Sequence, residues 1–465
     1  MPAFPPPHPA FAGATWPAIP QTQAATLLAI QQQLQLTQYL PPADLRSLQF
    51  RQLAELIAHI DRCVPFYGVS LRRAGIRPGQ PITNEAWARV PILTRPTVQQ
   101  AGNTLHATEL PPGHGRTVEV RTSGSSGMPV TVRKTELEQF YWQSFTLREE
   151  LWHGRDLGAK LMAIRRDDQR PATATGPTLR HLPDWGAPVA TVYPTGPMLL
   201  LDYRCTIAEQ AEALRRERPD YLLTFPSNLL ALMRHMRAHD LAPAGLRGVR
   251  TAGEALSPET RTLCRELWGV DVTDCYSAAE TGNLAFQCPD SPPGDPRYHV
   301  QSESALLEVL DPDGRPCAPG ETGRVVVTAL HNFAMPLIRY EIGDLAELGP
   351  PCPCGRTLPV LTRIPGRARD MLTLPGGAQR FPYYGHGALV RVAAIVQHQI
   401  VQKSLEEIEI RLVVRRPLTT AEQAQIHTAV AEGLGHKFRL SICYRDEITR
   451  GPGGKYAEFT SEITG

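Results

Sequence analysis

From about Lys160 to Ala285, short β-rich runs alternate with amphipathic helical runs, and this alternation constrains the fold more than any other feature. Leu161-Met-Ala-Ile164 and Tyr221-Leu-Leu-Thr-Phe225 read as buried strands. Ile207–Glu217 and Ser227–His239 read as amphipathic helices, the second with Ser227 as N-cap. Val249–Ala252, a helix around Pro258–Trp268 and Val272–Tyr276 extend the series. Such a series implies a sheet covered by helices on both faces.

From Ala305 the texture changes to strands at Ala305–Leu310, Gly323–Ala329, Pro336–Tyr340 and Ala346–Leu348. A final unit from about Arg391 mixes a strand (Glu407–Val414), a helix (Thr420–Leu434) and a strand (Ser441–Arg445). The expected class is α/β plus α+β: a large N-terminal domain of helix-covered sheets with a β-rich subdomain, then a small C-terminal α+β domain. Residues 1–20 are rich in Pro and Ala and read as a flexible arm. From Gln21 to about Ala74 the pattern is helical, broken at Pro41-Pro42, with Asp44 as the cap of the next helix. Val90-Pro-Ile-Leu-Thr-Arg-Pro reads as a turn into a short helix.

A chain of 465 residues holds two or more domains. Its 42% hydrophobic and 20% charged content is that of a soluble globular protein. A formal charge of +2 gives no electrostatic case for nucleic-acid or membrane binding. No apolar run approaches the roughly 20 residues that span a bilayer. The N-terminal Met-Pro-Ala-Phe-Pro-Pro-Pro-His lacks the layout of a signal peptide, so a cytoplasmic location is expected. Nine cysteines in this length do not suggest a disulfide scaffold.

Within this frame, Thr122-Ser-Gly-Ser-Ser-Gly-Met-Pro-Val130 stands between the strand-like Thr117-Val-Glu-Val120 and Val130-Thr-Val132. Glycines let a backbone approach an anion closely, and successive N–H groups with hydroxyls can wrap phosphate oxygens. Read alone, the stretch fits a flexible Ser/Gly hairpin equally well. It is not a Walker A loop, because no Gly-Lys-Ser/Thr follows at the required spacing.

Five stations follow it in order. Ala252-Gly-Glu-Ala255 and Tyr276-Ser-Ala-Ala-Glu280-Thr each follow a strand; Arg339-Tyr-Glu-Ile-Gly-Asp344 and Gly366-Arg-Ala-Arg-Asp370 come next, and Gly454-Lys455 lies near the end. With the loop, this order resembles the adenylate-forming superfamily of acyl-CoA ligases, luciferases and peptide-synthetase adenylation domains. Pro65-Phe-Tyr67, Val90-Pro-Ile-Leu-Thr94 and Met335-Pro-Leu-Ile-Arg-Tyr340 make the phenylacetate–CoA ligase-like branch the most similar. The resemblance spans about Leu27 to Lys455.

The resemblance implies a reaction of a carboxylic acid with ATP giving acyl-adenylate and pyrophosphate, followed by acyl transfer to a thiol such as CoA. Attack on the α-phosphorus builds charge on phosphate oxygens, so donors, a cation and Mg²⁺ are required. In the family's terms, Thr122, Ser123, Gly124, Ser125, Ser126 and Gly127 hold the β- and γ-phosphates, and Glu280 binds Mg²⁺. Tyr276 sets its aromatic face against the adenine, Ser277 belongs to the same ATP/AMP site, and Gly253 and Glu254 line the adenine pocket through their backbone. Asp344, an acceptor-only carboxylate, receives the ribose hydroxyls, and Arg367 helps fix the ribose. Lys455 contacts the carboxylate and α-phosphate during adenylation, after which the small C-terminal domain rotates for thioester formation. On this view residues 21–368 form the adenylation domain and 369–465 the mobile domain. By position, Tyr193, Phe225 and Pro226 border the acid pocket. Three departures stand out: Val130 at the end of the loop where many relatives carry Lys, Ala279 before Glu280 in place of Thr or Ser, and Arg369 where a hinge Asp is common.

Cys352-Pro-Cys354, with Cys288 and His299 upstream, supplies four ligands of the kind tetrahedral Zn²⁺ takes. Similar sets occur in the same branch as a structural metal site. Cys317 is a weaker substitute ligand. The expected partners are a small-molecule carboxylic acid and CoA; a carrier-protein thiol or an amine is the alternative acceptor, and a homodimer is compatible. An inactive nucleotide-binding scaffold is the reading from a different class, opposed by the intact Glu280, Asp344 and Lys455.

Overall fold

The structure is a computed structural model that describes residues 4–121, 130–170, 176, 178–292, 294–367, 372–376, 379–380, 389, 392, 394–449 and 458–463. The chain divides into two compact units, one of residues 1–159, 183–197 and 275–364, the other of 160–182, 198–274 and 365–465.

In the first unit, antiparallel strands Ala305–Leu310, Thr322–Ala329 and Tyr340–Leu348 lie side by side, and Tyr298–Val300 pairs with both Gly282–Gln287 and Val360–Arg367. Their inward faces and the helix Pro42–Cys63 share one core that includes Leu53, Ile57, Leu306, Val327 and Tyr340. The helix Pro42–Cys63 starts two residues before the expected cap. Pro41 is its N-cap and Pro42 its first residue, because a proline ring presets helical φ and the missing N–H needs no partner there. Asp44 falls in the first turn, where the helix dipole favours a carboxylate. Strands Thr117–Arg121 and Thr131–Thr135 form an antiparallel hairpin from Thr117 opposite Thr135 to Arg121 opposite Thr131. The strand pairing expected around the Ser/Gly loop is present; Thr122–Pro129 itself lies outside the described residues.

The second unit contains the alternating series. Strands Leu161–Arg165, Met198–Asp202, Tyr221–Thr224 and Gly248–Ala252 run parallel, with Leu179–Leu182 antiparallel at one edge. Helices Ile207–Glu217, Pro226–Ala238 and Pro258–Trp268 pack on them around Leu214, Leu222, Met233, Val249 and Leu263. Ser227 is not the N-cap of the second helix: Pro226 opens it, and the N–H of Ser227 donates to Glu254 Oε2 at 2.9 Å. A carboxylate from the end of a neighbouring strand does the work of a local cap.

The C-terminal part of this unit is a four-stranded sheet in the order Arg439–Tyr444, Glu407–Val414, Ile395–Gln402, Phe459–Ser461, with helix Thr420–Leu434 leading from one inner strand to the edge. Ile408, Ile410, Ile426 and Val430 form its separate core. The buried guanidinium of Arg234 on helix Pro226–Ala238 donates to Val396 O at 3.2 Å and faces His398 Nδ1 at 3.3 Å. The large mixed sheet structure with helices and a smaller C-terminal α+β part is the class the sequence implied. One expected strand is displaced: Pro336–Arg339 is not extended sheet, and the strand begins at Tyr340. Arg339 has φ +46°, a left-handed conformation that interrupts a strand.

Candidate active site

The strand Val272–Ala278 delivers Tyr276 and Ser277 and then turns through Ala279–Thr281 into Gly282–Gln287. The ladder between these two strands shifts register between Tyr276 and Ser277. The Tyr276 hydroxyl donates to Asp344 Oδ2 at 2.9 Å, and both residues are buried. Asp344 stands in the strand Tyr340–Leu348, so the hydrogen bond ties two of the expected stations together. Four residues beyond Tyr276, the Glu280 carboxylate is buried, with Arg95 Nη1 at 3.6 Å from its Oε1.

The Arg339 station is linked just as directly to Val90–Thr94. The Leu93 N–H donates to Arg339 O, and the Glu341 N–H to Leu93 O, both at 2.9 Å. The Arg339 guanidinium donates to Ala88 O at 2.8 Å and Val90 O at 2.7 Å, and pairs with Glu308 at 3.1 Å. Two segments distant in sequence are thus held as one short ladder, and the left-handed Arg339 is fixed by five-donor chemistry that only arginine offers.

The second unit brings together Gly253, Glu254, Phe225 and Pro226. Gly253 has φ +85°, which a side chain would strain, and Glu254 anchors the N-terminus of the helix that Pro226 opens. The Phe225 ring meets Tyr203 edge-on at 6.1 Å. Tyr193 belongs to the first unit, where its ring lies 6.2 Å from that of Phe4 and burial pushes its phenol pKa up. Arg367 ends the strand Val360–Arg367. Thr122, Ser123, Gly124, Ser125, Ser126, Gly127, Arg369 and Lys455 lie outside the described residues.

A second polar cluster gathers Cys288, His299, Cys352 and Cys354, whose ligand atoms all lie within 4.8 Å of one another. The Cys352 and Cys288 sulfurs are 3.9 Å apart, and Cys354 Sγ is 3.3 Å from His299 Nε2. Metal–sulfur bonds of about 2.3 Å in a tetrahedron put sulfurs about 3.8 Å apart, so the donor set fits zinc. Burial, reinforced by the positive Arg356, pushes His299 down to about 4, which keeps its imidazole neutral, as ligation requires. Burial raises the Cys288 and Cys352 thiols. It acts on Cys354 too, but hydrogen bonds from Arg356 outweigh it and hold that thiol below its ordinary value. Around the cluster, the Arg148 and Arg356 guanidinium groups lie over the Trp152 ring at 4.6 and 4.7 Å, and the Trp152 and His299 rings meet at 82°. Cys317 lies apart, in the main core. The Arg95 contact and the Arg148–Trp152–Arg356 stack were not predicted from sequence. The only signal for the first was the Thr-Arg-Pro end of a segment already singled out.

An AMP-binding enzyme family model matches residues 186–334, and a CapK C-terminal domain model matches residues 387–461. The chain is 28% identical over 389 residues to a phenylacetate-coenzyme A ligase of Thermus thermophilus, covering 81% of this chain and 83% of the relative. It is 25% identical over 341 residues to the Escherichia coli phenylacetate-coenzyme A ligase, covering 72% and 73%. Among solved structures, 2-hydroxyisobutyryl-CoA ligase in its postadenylation state with 2-HIB-AMP superposes with a TM-score of 0.69 at 20% identity, covering 91% of this chain and 90% of that one. That last likeness carries the fold. The ordered stations and these relatives point the same way: residues 186–334 match the AMP-binding enzyme family, and over most of its length the chain is similar to phenylacetate-coenzyme A ligases.

Proposed function

We propose that this protein activates a carboxylic acid with ATP, releases pyrophosphate, and passes the acyl group from the adenylate to the thiol of CoA. The observation that carries this reading is the buried Tyr276–Asp344 hydrogen bond, with Glu280 on the following turn, in a chain matched by the AMP-binding enzyme model. Asp344, an acceptor-only carboxylate, takes the ribose hydroxyls, and the Tyr276 bond fixes its orientation. Tyr276 lends its ring to the adenine, Ser277 and the backbone of Gly253 and Glu254 serve the same nucleotide, and Arg367 steadies the ribose. The loop Thr122–Gly127 holds the leaving pyrophosphate by N–H and hydroxyl donors. Glu280, a buried carboxylate, has the hard oxygen chemistry that magnesium selects, and magnesium when bound neutralises charge on the phosphates. Lys455 brings a compact cation to the α-phosphate and the substrate carboxylate, and residues from about 369 onward turn between the two half-reactions.

Tyr193, Phe225 and Pro226 border the acid. Cys288, His299, Cys352 and Cys354 hold a structural zinc; all four positions are filled by protein, so this metal takes no part in the chemistry. No helix among the described residues is long and apolar enough to cross a membrane, in keeping with a cytoplasmic enzyme. A carrier-protein thiol or an amine as acyl acceptor is the second reading, favoured by Arg369 in the sequence where a hinge Asp is common. A pyrophosphate-release screen across aryl, fatty and amino acids, with and without CoA, separates the two. Acid-dependent release with CoA-dependent thioester formation supports the first. Release without thioester on CoA supports the second, and no release with any acid contradicts both.

A further inference from the structure

The ion pair of Arg95 with Glu280 has a structure that its neighbours enforce. Glu280 is 3% exposed, and the Arg95 side chain is largely buried as well. The backbone just before Arg95 is fixed from both sides, by the Leu93 ladder to Arg339 and Glu341 and by the Arg339 guanidinium on Ala88 and Val90. Thr94 then caps the short helix that Arg95 begins, accepting from the Thr97 N–H. Arg95 is therefore carried to Glu280 by a built scaffold. Yet the contact itself is loose: 3.6 Å, against the 2.7–2.9 Å of a tight charge-assisted pair. A rigidly delivered cation at a loosely held carboxylate is arranged for exchange.

The sequence supplies the reason an exchange would be needed. Thr122-Ser-Gly-Ser-Ser-Gly-Met-Pro-Val130 contains hydroxyls and glycines but no lysine or arginine. Such a loop offers dipoles to a polyphosphate and no positive charge of its own. We infer that Arg95 is the cation for the β- and γ-phosphates. In the resting protein its guanidinium occupies the Glu280 carboxylate. When a nucleoside triphosphate enters, the guanidinium passes to the phosphate oxygens, and Glu280 is released to serve as an oxygen ligand for magnesium. No bond is made or broken; one ion pair is traded for another. The inference rests on the adenylating reading and adds a residue to it.

Equilibrium binding, without acid or CoA so that nothing turns over, tests it. Calorimetric titration of ATP and of AMP, each with magnesium, is compared between the wild type, Arg95→Gln and Arg95→Lys. Arg95→Gln should weaken ATP binding by about tenfold to a hundredfold, the scale of one or two charge-assisted hydrogen bonds, and leave AMP binding within about twofold. Arg95→Lys should recover most of the ATP affinity, which a merely structural role for the planar guanidinium would not allow. Unchanged ATP binding in a folded Arg95→Gln protein, or equal weakening of ATP and AMP, overturns the role of Arg95 while leaving the adenylating reading intact. Should Arg95→Gln fail to fold, Arg95→Ala takes its place: weakening with ATP alone supports the role, and unchanged ATP binding or equal weakening of both nucleotides overturns it. A wild type that binds neither nucleotide overturns the adenylating reading itself.

Discussion

The Cys288–His299–Cys352–Cys354 cluster and the Tyr276–Asp344–Glu280 region lie in the same unit, yet their polar groups are satisfied in different ways. In the cysteine cluster the donors face one another within 4.8 Å, walled by Trp152 and two arginines that approach from outside. Nothing in that arrangement has to leave for a metal to be held. In the other region each carboxylate is held by a long side chain from a distant segment, Asp344 by Tyr276 and Glu280 by Arg95. The two differ in tightness: the Tyr276 hydroxyl sits 2.9 Å from Asp344 and orients it, whereas Arg95 stands 3.6 Å from Glu280 and is the partner that can be exchanged. A site that holds one ion permanently can close on itself, whereas a site that admits and releases substrates needs partners that can be replaced.

Three perturbations sharpen the contrast, from the largest effect down. Replacing Cys352 and Cys354 together by serine should abolish zinc in elemental analysis and lower unfolding stability by on the order of 4–5 kcal/mol, the class of effect that follows loss of a structural metal. A variant that melts like the wild type would contradict a structural metal. Arg339→Met takes the guanidinium from the half-buried Glu308, which keeps the Trp87 indole N–H, and should cost about 3 kcal/mol in denaturant unfolding. It should also weaken ATP binding, because it frees the segment that carries Arg95; a purely local loss would leave ATP binding unchanged. Tyr276→Phe removes only the hydroxyl that faces Asp344. It should cost about 1 kcal/mol, seen as a roughly fivefold fall in kcat/KM for ATP with little change in melting. No change in kcat/KM would mean that the bond does not orient Asp344 for the ribose.

How much of this was readable in the sequence depended on how local each cause was. The alternating series is legible where buried parallel strands read as near-continuous apolar runs, as at Leu161–Arg165 and Tyr221–Thr224, and where the interleaved helices carry a clear apolar face. The cap of helix Pro226–Ala238 was not, because its acceptor, Glu254, arrives from another strand. The start of strand Tyr340–Leu348 was misplaced because Pro336-Leu-Ile-Arg339 has β-branched and apolar residues but is pulled out of the ladder by the left-handed Arg339. The ligand types of the cysteine cluster were evident from composition; their convergence needed the pairing of Tyr298–Val300 with Val360–Arg367. The Arg95–Glu280 pair had no periodicity or motif to announce it, since it is made by two turns that only tertiary packing brings together.

The most direct test of adenylation at this site is acid-dependent pyrophosphate release by the wild type and by Asp344→Ala, followed as a function of ATP concentration. Release is predicted only when a suitable carboxylic acid is present. The kcat/KM for ATP should be about a hundredfold lower in Asp344→Ala, the scale of losing hydrogen bonds to a charged acceptor, with the fold intact by circular dichroism. Release that does not depend on the acid, or an ATP dependence that Asp344→Ala leaves unchanged, would contradict it.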